Sequence, residues 1–327
     1  MNIVIIFACG AKKIVLHNKI CYNTLGERIR RNKRLYMWIV FACLSSVFAG
    51  LTAILSKLGV KDTDSDVATA IRTSVVLVLS FTVTFITGEY RSLPNVSTKS
   101  LIFLIISGFA TGASWICYFK ALSCGDVSKV TAVDKSSVIL TILFALAAFP
   151  DERANWQIKI VCLVFIGVGT YLMADFKKAD DPEKKKSATW LLFAILSAVF
   201  AAATSILAKI GIENVPSNLA TSIRTCVVIV MAWIIVFCRK KTALVKAVPK
   251  RDLLFLCLSG VATAGSWLCY YYSIAYGQVS VVVPIDKLSV LLTAAFSVIV
   301  LKEKLKPKAV VGLFLLLAGT ICMAIFA

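Results

Sequence analysis

Apolar segments of about 20 residues recur along the chain from residue 36 onward, and short polar segments separate them. Each apolar segment is long enough to cross the hydrocarbon core of a bilayer, about 30 Å thick, as an α-helix. Ten such segments are present, near 36–59, 67–87, 101–122, 129–149, 157–176, 189–211, 219–238, 252–275, 280–300 and 308–326. The pattern therefore predicts an all-α integral membrane protein with ten transmembrane helices.

Two polar stretches lie outside this pattern and divide the chain. Residues 177–188 form a linker of Lys, Asp and Glu between the fifth and sixth apolar segments. Residues 1–36 carry eight Lys and Arg residues, and this stretch is interpreted either as a cytoplasmic tail or as an over-long start before Met37. We therefore expect a basic tail at 1–36, a first repeat at 37–176, a charged linker at 177–188 and a second repeat at 189–327.

The two sides of the linker are copies of each other at a spacing of 152 residues. Ala68-Thr-Ala-Ile-Arg-Thr73 matches Ala220-Thr-Ser-Ile-Arg-Thr225, and Val133-Asp-Lys-Ser-Ser137 matches Ile285-Asp-Lys-Leu-Ser289. Five spans per copy is an odd number, so the second copy must enter the membrane from the opposite side. We therefore expect two inverted five-helix repeats, a construction that lets one half of a secondary transporter rock against the other. A duplicated structural bundle is the alternative.

Composition agrees with a membrane protein and narrows the possible partners. The chain is 59% hydrophobic and 16% charged, whereas soluble domains are about 45–50% apolar and about 25% charged. That difference argues against a soluble enzyme. The net charge is +19, but it is not gathered on an aromatic-bearing soluble domain, so we expect no nucleic-acid partner.

Familiar catalytic and cofactor-binding patterns are missing from the sequence. The only histidine is His17, so a His-based metal cluster or triad cannot be built. The 11 cysteines include no CxxC pair, and no GxxxxGK[ST] phosphate loop is present. We therefore expect no enzyme activity, no metal site and no cofactor.

Charged residues recur at equivalent positions inside the predicted spans of both copies. Because a charge near the bilayer centre costs several kcal/mol, such residues seldom persist without a function or a partner. Arg72 and Arg224 should face the interior of the bundle and pair either with a carboxylate or with an anionic group of a substrate. Asp134 and Asp286 are the candidate carboxylates. A buried Arg–Asp pair that only fixes helix packing is the alternative.

Further polar and aromatic residues accompany these charges in each copy. A lysine follows each aspartate, a serine lies one turn later on the same helical face, and a Trp and a Tyr lie one turn apart in each third span. The aromatic residues are interpreted as lining a pocket, as an interface belt or as packing. The candidate substrate-binding or coupling residues are Arg72, Trp115, Tyr118, Asp134, Lys135, Ser137, Arg224, Trp267, Tyr270, Asp286, Lys287 and Ser289. Pro284 has no counterpart in the first copy, and we expect it to break or kink the ninth span beside Asp286.

These stretches resemble the EamA-type branch of the drug/metabolite transporter superfamily over about residues 37–327. The resemblance rests on the repeated Ala-Thr-x-Ile-Arg-Thr, on Ser-Gly-x-Ala-Thr-x-x-Ser-Trp-x-Cys-Tyr, on Asp-Lys-x-Ser-Val and on the Glu303-Lys304 turn. It implies a fused pair of five-helix units that forms a secondary transporter or exporter in the inner or plasma membrane. Phe149-Pro150-Asp151-Glu152 departs from the Gly-Glu-Lys-type turn of the family.

We therefore expect alternating-access export of a small organic metabolite or drug-like solute, coupled to protons through Asp134 or Asp286, by a monomer or homodimer embedded in the lipid bilayer. A membrane-embedded structural or lipid-handling protein without solute transport is the alternative. The orientation is open. The resemblance and the basic tail favour cytoplasmic termini, but the basic segments 239–251 and 302–308 and the linker lie on the other side, where positive-inside bias predicts the cytoplasm.

Overall fold

The computed structural model describes residues 37–58, 63–124, 130, 133–173, 189–299, 302 and 307–326. The predicted basic tail, the linker 177–188 and the Glu303-Lys304 turn lie outside these residues. The described residues are helical, with no strand among them.

Twelve α-helices and two short 3-10 helices make up the described chain. The helices are α1 (Met37–Leu58), α2 (Ser65–Ile86), α3 (Thr98–Cys124), α4 (Ser137–Ala148), α5 (Trp156–Met173), α6 (Thr189–Gly211), α7 (Ser217–Cys238), α8 (Thr242–Lys246), α9 (Lys250–Tyr276), α10 (Val279–Lys287), α11 (Ser289–Ile299) and α12 (Pro307–Phe326). The 3-10 helices are Glu89–Asn95 and Pro150–Arg153.

Nine stretches of the described residues are long and apolar enough to cross a membrane. They are α1, α2, α3, α5, α6, α7, α9, α12 and the stretch Val279–Phe296, which covers α10 and most of α11. The predicted fourth span, 129–149, contains a helical turn at 133–135 followed by α4, whose 12 residues are too short to cross by themselves. The described residues thus account for nine of the ten predicted spans.

The outer surface of the bundle is apolar. Large hydrophobic side chains such as Phe314 (68% exposed), Ile86 (80%) and Ile325 (67%) point outward, while many Ser, Thr and Ala side chains are buried between the helices. Lipid tails satisfy an apolar exterior, and small residues inside allow helices to approach closely. This arrangement is that of helices embedded in a bilayer.

The most extensive helix contacts join the first copy to the second. Helix α3 packs along α6, α2 packs against α7 and α5 packs against α12. Helix α1 packs along α9, where the hydroxyl oxygens of Ser56 and Ser259 lie 2.7 Å apart. The α1–α9 and α6–α3 contacts are equivalent, because each joins the first helix of one copy to the third helix of the other.

Glycines at equivalent positions bring α3 close to α7 and α9 close to α2. A Cβ atom on Gly108 would lie 3.1 Å from the Arg224 carbonyl oxygen, and one on Gly260 would lie 3.0 Å from the Arg72 carbonyl oxygen. Backbone is therefore packed directly against the glycine surface in both copies. The second helices, which carry the two arginines, are held close to α3 and α9 for this reason.

The chain tightens into a 3-10-type turn directly after each Asp-Lys pair. The amide N–H of Ser136 donates to the Val133 carbonyl at 3.1 Å, and the equivalent Leu288 donates to the Ile285 carbonyl at 3.0 Å. Pro284 lies inside α10, and α10 continues past it to Lys287. The proline therefore does not break the helix. The interruption lies at Leu288 and recurs at Ser136 in the first copy, which has no proline at the equivalent position.

Candidate functional site

A central cavity with two adjoining lobes lies among α1, α2, α3, α6, α9, α10 and the start of α4 with the helical turn 133–135 before it. The first lobe has a volume of about 350 Å³ and the second a volume of about 320 Å³. The side chains that line both lobes are Arg72, Ser114, Trp115, Ala201 and Lys287. Arg72, Ser114, Trp115 and Ala201 lie in interior turns of their helices, and Lys287 lies in the middle of the apolar stretch Val279–Phe296. The cavity therefore lies inside the membrane-spanning part of the bundle.

Most of the candidate residues predicted from the sequence line this central cavity. Trp267, Tyr270 and Asp286 line the first lobe, and Tyr118, Asp134 and Ser137 line the second. Arg72, Trp115 and Lys287 line both. Lys135, Arg224 and Ser289 are not among the lining residues of either lobe.

Each candidate carboxylate accepts a hydrogen bond from a serine of the other copy. The Ser45 hydroxyl donates to Asp286 Oδ1 at 2.6 Å, and the equivalent Ser197 hydroxyl donates to Asp134 Oδ1, also at 2.6 Å. Both serines are fully buried. The two aspartates therefore hold equivalent positions in the two copies.

The two arginines, in contrast, occupy unequal surroundings. Arg72 lines the central cavity and donates from Nη1 to the Ser56 hydroxyl at 3.0 Å. Arg224 is only 1% exposed and donates to Ser107 at 2.9 Å and to Thr111 at 3.2 Å. Its guanidinium carbon lies 4.1 Å from the centre of the Tyr271 ring, a cation–π distance. Nη1 of Arg224 is buried without a hydrogen-bond partner.

Neither arginine is paired with a carboxylate in the described part of the chain. The ion pairs there join Lys99 to Glu213, Lys159 to Glu152, Arg239 to Asp66, and Lys241 to Asp64 and Asp66. The interpretation of Arg72 and Arg224 as members of buried Arg–Asp pairs therefore has no support among these residues.

The junction between α9 and α10 is fixed by two lysines. Lys209 donates to the carbonyls of Ile274 at 2.6 Å and Gly277 at 2.8 Å, which otherwise lack helical partners at the end of α9. Lys159 is fully buried and donates to the Gln278 side chain at 2.8 Å. The helix that carries Asp286 is thereby anchored at its first turn.

A sequence family covers nearly all of the described chain. The model of the EamA-like transporter family matches residues 36–174 and 188–325. This chain belongs to the EamA-like transporter family. Together with the nine apolar helices, that membership makes it a multi-pass integral membrane protein of a transporter family.

Two relatives of this EamA-family protein match less than half of its length. Over 139 residues, 42% of this chain, it is 39% identical to 97% of a Sinorhizobium protein named "Uncharacterized transporter in cobO 3′region". Over 137 residues, also 42% of the chain, it is 28% identical to 97% of an uncharacterized protein from Methanocaldococcus jannaschii. Each relative is thus matched almost whole by a part of this chain.

A solved crystal structure shares the fold of this EamA-family protein. The two structures agree with a TM-score of 0.69 over 89% of this chain and 97% of the other. Their sequences are 13% identical, so the likeness concerns the fold alone.

Hydroxyl side chains of the EamA-like repeats were missed as site residues. Thr111, Ser114, Thr263 and Ser266 line the first lobe, and all four belong to the repeated Ser-Gly-x-Ala-Thr-x-x-Ser-Trp stretch. Their recurrence at the spacing of the copies was the available signal. Ser45 and Ser197 recur at the same spacing, but serines are common in membrane helices, and only the fold places these two beside the aspartates.

Proposed function

We propose that this EamA-family protein is a secondary transporter that carries a small organic solute through the central cavity by alternating access in the inner or plasma membrane. The observation that carries this proposal is the cavity itself, which combines charged, hydroxyl and aromatic side chains in the middle of an otherwise apolar bundle. Isolated polar groups in membrane helices usually mark a substrate or ion pathway.

The unequal arginines support alternating access between two inverted five-helix repeats. In a transporter built from inverted repeats, the two copies exchange conformations when the access side changes. Arg72 lies in the cavity lining and Arg224 lies behind Tyr271. In the opposite state, therefore, Arg224 should enter the cavity lining. Arg72 should then be covered by Phe119, which is the first-copy equivalent of Tyr271.

Export and proton coupling form the finer part of the proposal. Asp134 and Asp286 each have one serine donor and no ion-pair partner among the described residues. A carboxylate in this setting can release a proton when the cavity faces water on one side and take one up on the other. We assign the coupling to this pair and place both chain termini in the cytoplasm.

The experiment that tests the proposal begins with the metabolite profile of a deletion strain. A compound that accumulates in the deletion strain and returns to normal on complementation is then assayed for flux in proteoliposomes containing the purified full chain. Flux should be lost in Asp286→Asn and retained in Glu213→Gln, since Glu213 is an exposed acid outside the central cavity. Flux retained in both Asp134→Asn and Asp286→Asn would exclude the carboxylate role.

The same vesicles distinguish transport from the lipid-handling alternative. Family membership favours transport. Translocation of a fluorescent lipid reporter without flux of any accumulated solute would instead identify a lipid-handling protein.

A further inference from the structure

Cationic side chains outnumber carboxylates around the central cavity. Arg72 and Lys287 line both lobes, whereas each lobe has a single carboxylate, Asp286 in the first and Asp134 in the second. Directly behind the wall lies Arg224, which donates a hydrogen bond to the lining residue Thr111. At their ordinary ionisation states the charges of the two lining cations and the two lining carboxylates sum to zero. Arg224, which is 1% exposed, adds a positive charge directly behind this lining.

Lys135 adds a further positive charge beside the cavity. It follows Asp134 in the chain and is half-buried, and its ammonium group interacts electrostatically with the Lys287 ammonium group and with the Asp134 carboxylate. With Arg224, Lys135 gives the cavity and its immediate surroundings four cationic side chains against the two carboxylates Asp134 and Asp286.

The cations of the cavity form no close ion pair in the described part of the chain. Within the described residues, Arg72, Lys287 and Arg224 form no ion pair, and Nη1 of Arg224 has no hydrogen-bond partner. The aspartates accept from serines instead. An unpaired cation in a low-dielectric interior is costly, so a ligand that supplies negative charge is stabilised there. A guanidinium also matches the two oxygens of a carboxylate or phosphate in a fork-like geometry.

The same cavity offers apolar surface for the rest of a ligand. The rings of Trp115, Trp267 and Tyr270 line the first lobe beside Arg72 and Lys287. Its volume of about 350 Å³ lies near the lower end of the range for small-molecule sites, about 300–1,000 Å³. The lobe therefore fits a compact organic molecule with a flat apolar body and one acidic group.

We infer that the solute of this transporter is an organic anion, whose carboxylate or phosphate group binds between Arg72 and Lys287 and whose apolar body packs on Trp115, Trp267 and Tyr270. The inference rests on the proposed function, since it takes the central cavity to be the transport site. It predicts selection by charge among molecules of the same shape.

Equilibrium dialysis of the purified full chain in detergent micelles tests this selection. Four probes share a naphthyl body: 1-naphthylacetate, 1-naphthyl phosphate, neutral 1-naphthylacetamide and cationic 2-(1-naphthyl)ethylamine. At least one of the two anions should bind about tenfold or more tightly than the amide, and the amine should bind most weakly. Equal or tighter binding of the amide or amine overturns the inference, and so does a failure of all four probes to bind.

Variants of the two cations locate the acidic group. Arg72→Gln and Lys287→Gln should each weaken anion binding about tenfold and leave amide binding nearly unchanged. Lys250→Gln, an exposed lysine outside the cavity, is the matched control and should bind as the unchanged protein does. Unchanged anion binding in both cavity variants overturns the placement between Arg72 and Lys287. The comparison among the four probes needs no variant, so it stands if a variant fails to fold.

Flux in proteoliposomes separates a failure of this inference from a failure of the proposed function. Selective binding of an anion without its flux would support the inferred ligand class and contradict the proposed transport function. Flux of the amine or the amide without flux of either anion would support the proposed transport function and contradict the inference that the solute is an organic anion.

Discussion

Ser45 on α1 donates a hydrogen bond of 2.6 Å to Asp286 on α10, and the two residues belong to different copies of the repeat. Ser45 is fully buried, and Asp286 lines the central cavity. The bond therefore links the helix that carries a candidate coupling carboxylate to the opposite half of the bundle, at a point where relative motion of the halves would alter it.

Loss of this hydroxyl should destabilise the protein measurably. Ser45→Ala removes a hydrogen bond to a charged group, worth about 1.5–3 kcal/mol, and should lower the melting temperature in detergent micelles. Asp286→Asn removes the charge from the same contact. In a double-mutant cycle the effect of Ser45→Ala should be smaller in the Asp286→Asn background. Effects that simply add would show that the serine does not act on the aspartate.

The close contact between α5 and α12 should require glycine at position 169, because there is no room for a side chain there. A Cβ atom there would lie 2.7 Å from the Gly312 carbonyl oxygen and 2.7 Å from the Leu316 amide nitrogen, both of them backbone atoms that cannot move aside alone. Gly169→Ala should therefore separate the two helices and lower the melting temperature strongly.

Gly167 provides the matched control two residues earlier in the same helix. A Cβ atom on Gly167 would first meet the end of the Ile139 side chain at 3.1 Å, and a flexible side chain can shift. Because alanine also favours a helix over glycine by about 1 kcal/mol, Gly167→Ala should be neutral or slightly stabilising. Equal melting temperatures for the two variants would contradict the close backbone contact.

A buried ion pair should hold the first turn of α10. The Glu152 carboxylate accepts from the Val279 amide and the Ser280 hydroxyl, and Lys159 Nζ lies 3.4 Å from Glu152 Oε2. Both charged side chains are almost fully buried. Removing one partner of such a pair typically costs about 3–5 kcal/mol, because the other charge stays buried without compensation.

Thermal unfolding of Lys159→Met and Glu152→Gln measures this cost. Each single variant should melt well below the unchanged protein, and the double variant should lose less than the two single losses combined. The exposed Lys99–Glu213 pair, with N and O atoms 4.0 Å apart, is the control, and Lys99→Met should change stability by less than about 0.5 kcal/mol. A Lys159→Met protein that melts like the control would refute the role of the buried pair.

Much of the bundle follows from the sequence, because membrane helices are specified by runs of apolar residues and those runs are local. The same logic located Asp134 and Asp286, since a charge within such a run is conspicuous and these two recur at the repeat spacing. Their serine donors could not be found in this way, because the contact is made between helices far apart in the chain.

The different surroundings of Arg72 and Arg224 were also beyond local sequence. Both arginines lie in the same Ile-Arg-Thr stretch, so any rule based on neighbours assigns them the same surroundings. The difference arises from the tertiary arrangement, which leaves one guanidinium in the cavity and covers the other with Tyr271. Pro284 shows the opposite case, in which a conspicuous local signal predicts a break that is absent from α10.

The stability of the folded protein should decrease in acid because the Asp64 carboxylate, at the N-terminus of α2, becomes protonated. The Asp64 side chain accepts from the Asp66 amide at 3.0 Å as the N-cap of α2, and Lys241 Nζ lies 2.6 Å from its Oδ2. Partial burial alone would raise the pKa of the Asp64 carboxyl, but the hydrogen bonds and charge of Lys241 and the helix amides outweigh it and lower the pKa below its usual range. A depressed pKa stabilises the folded state above the unfolded-state value of about 3.9, and this stabilisation is lost as the pH falls through the folded-state pKa.

The melting temperature should therefore fall as the pH is lowered from about 5 to about 3, and the decrease should be smaller in Asp64→Asn, which cannot titrate. Lys241→Met should also flatten the curve, because it removes the main group that lowers the pKa of Asp64. Glu213→Gln, at an exposed acid, serves as the control. A curve for Asp64→Asn that parallels the curve of the unchanged protein would show that the Asp64–Lys241 contact does not link stability to pH.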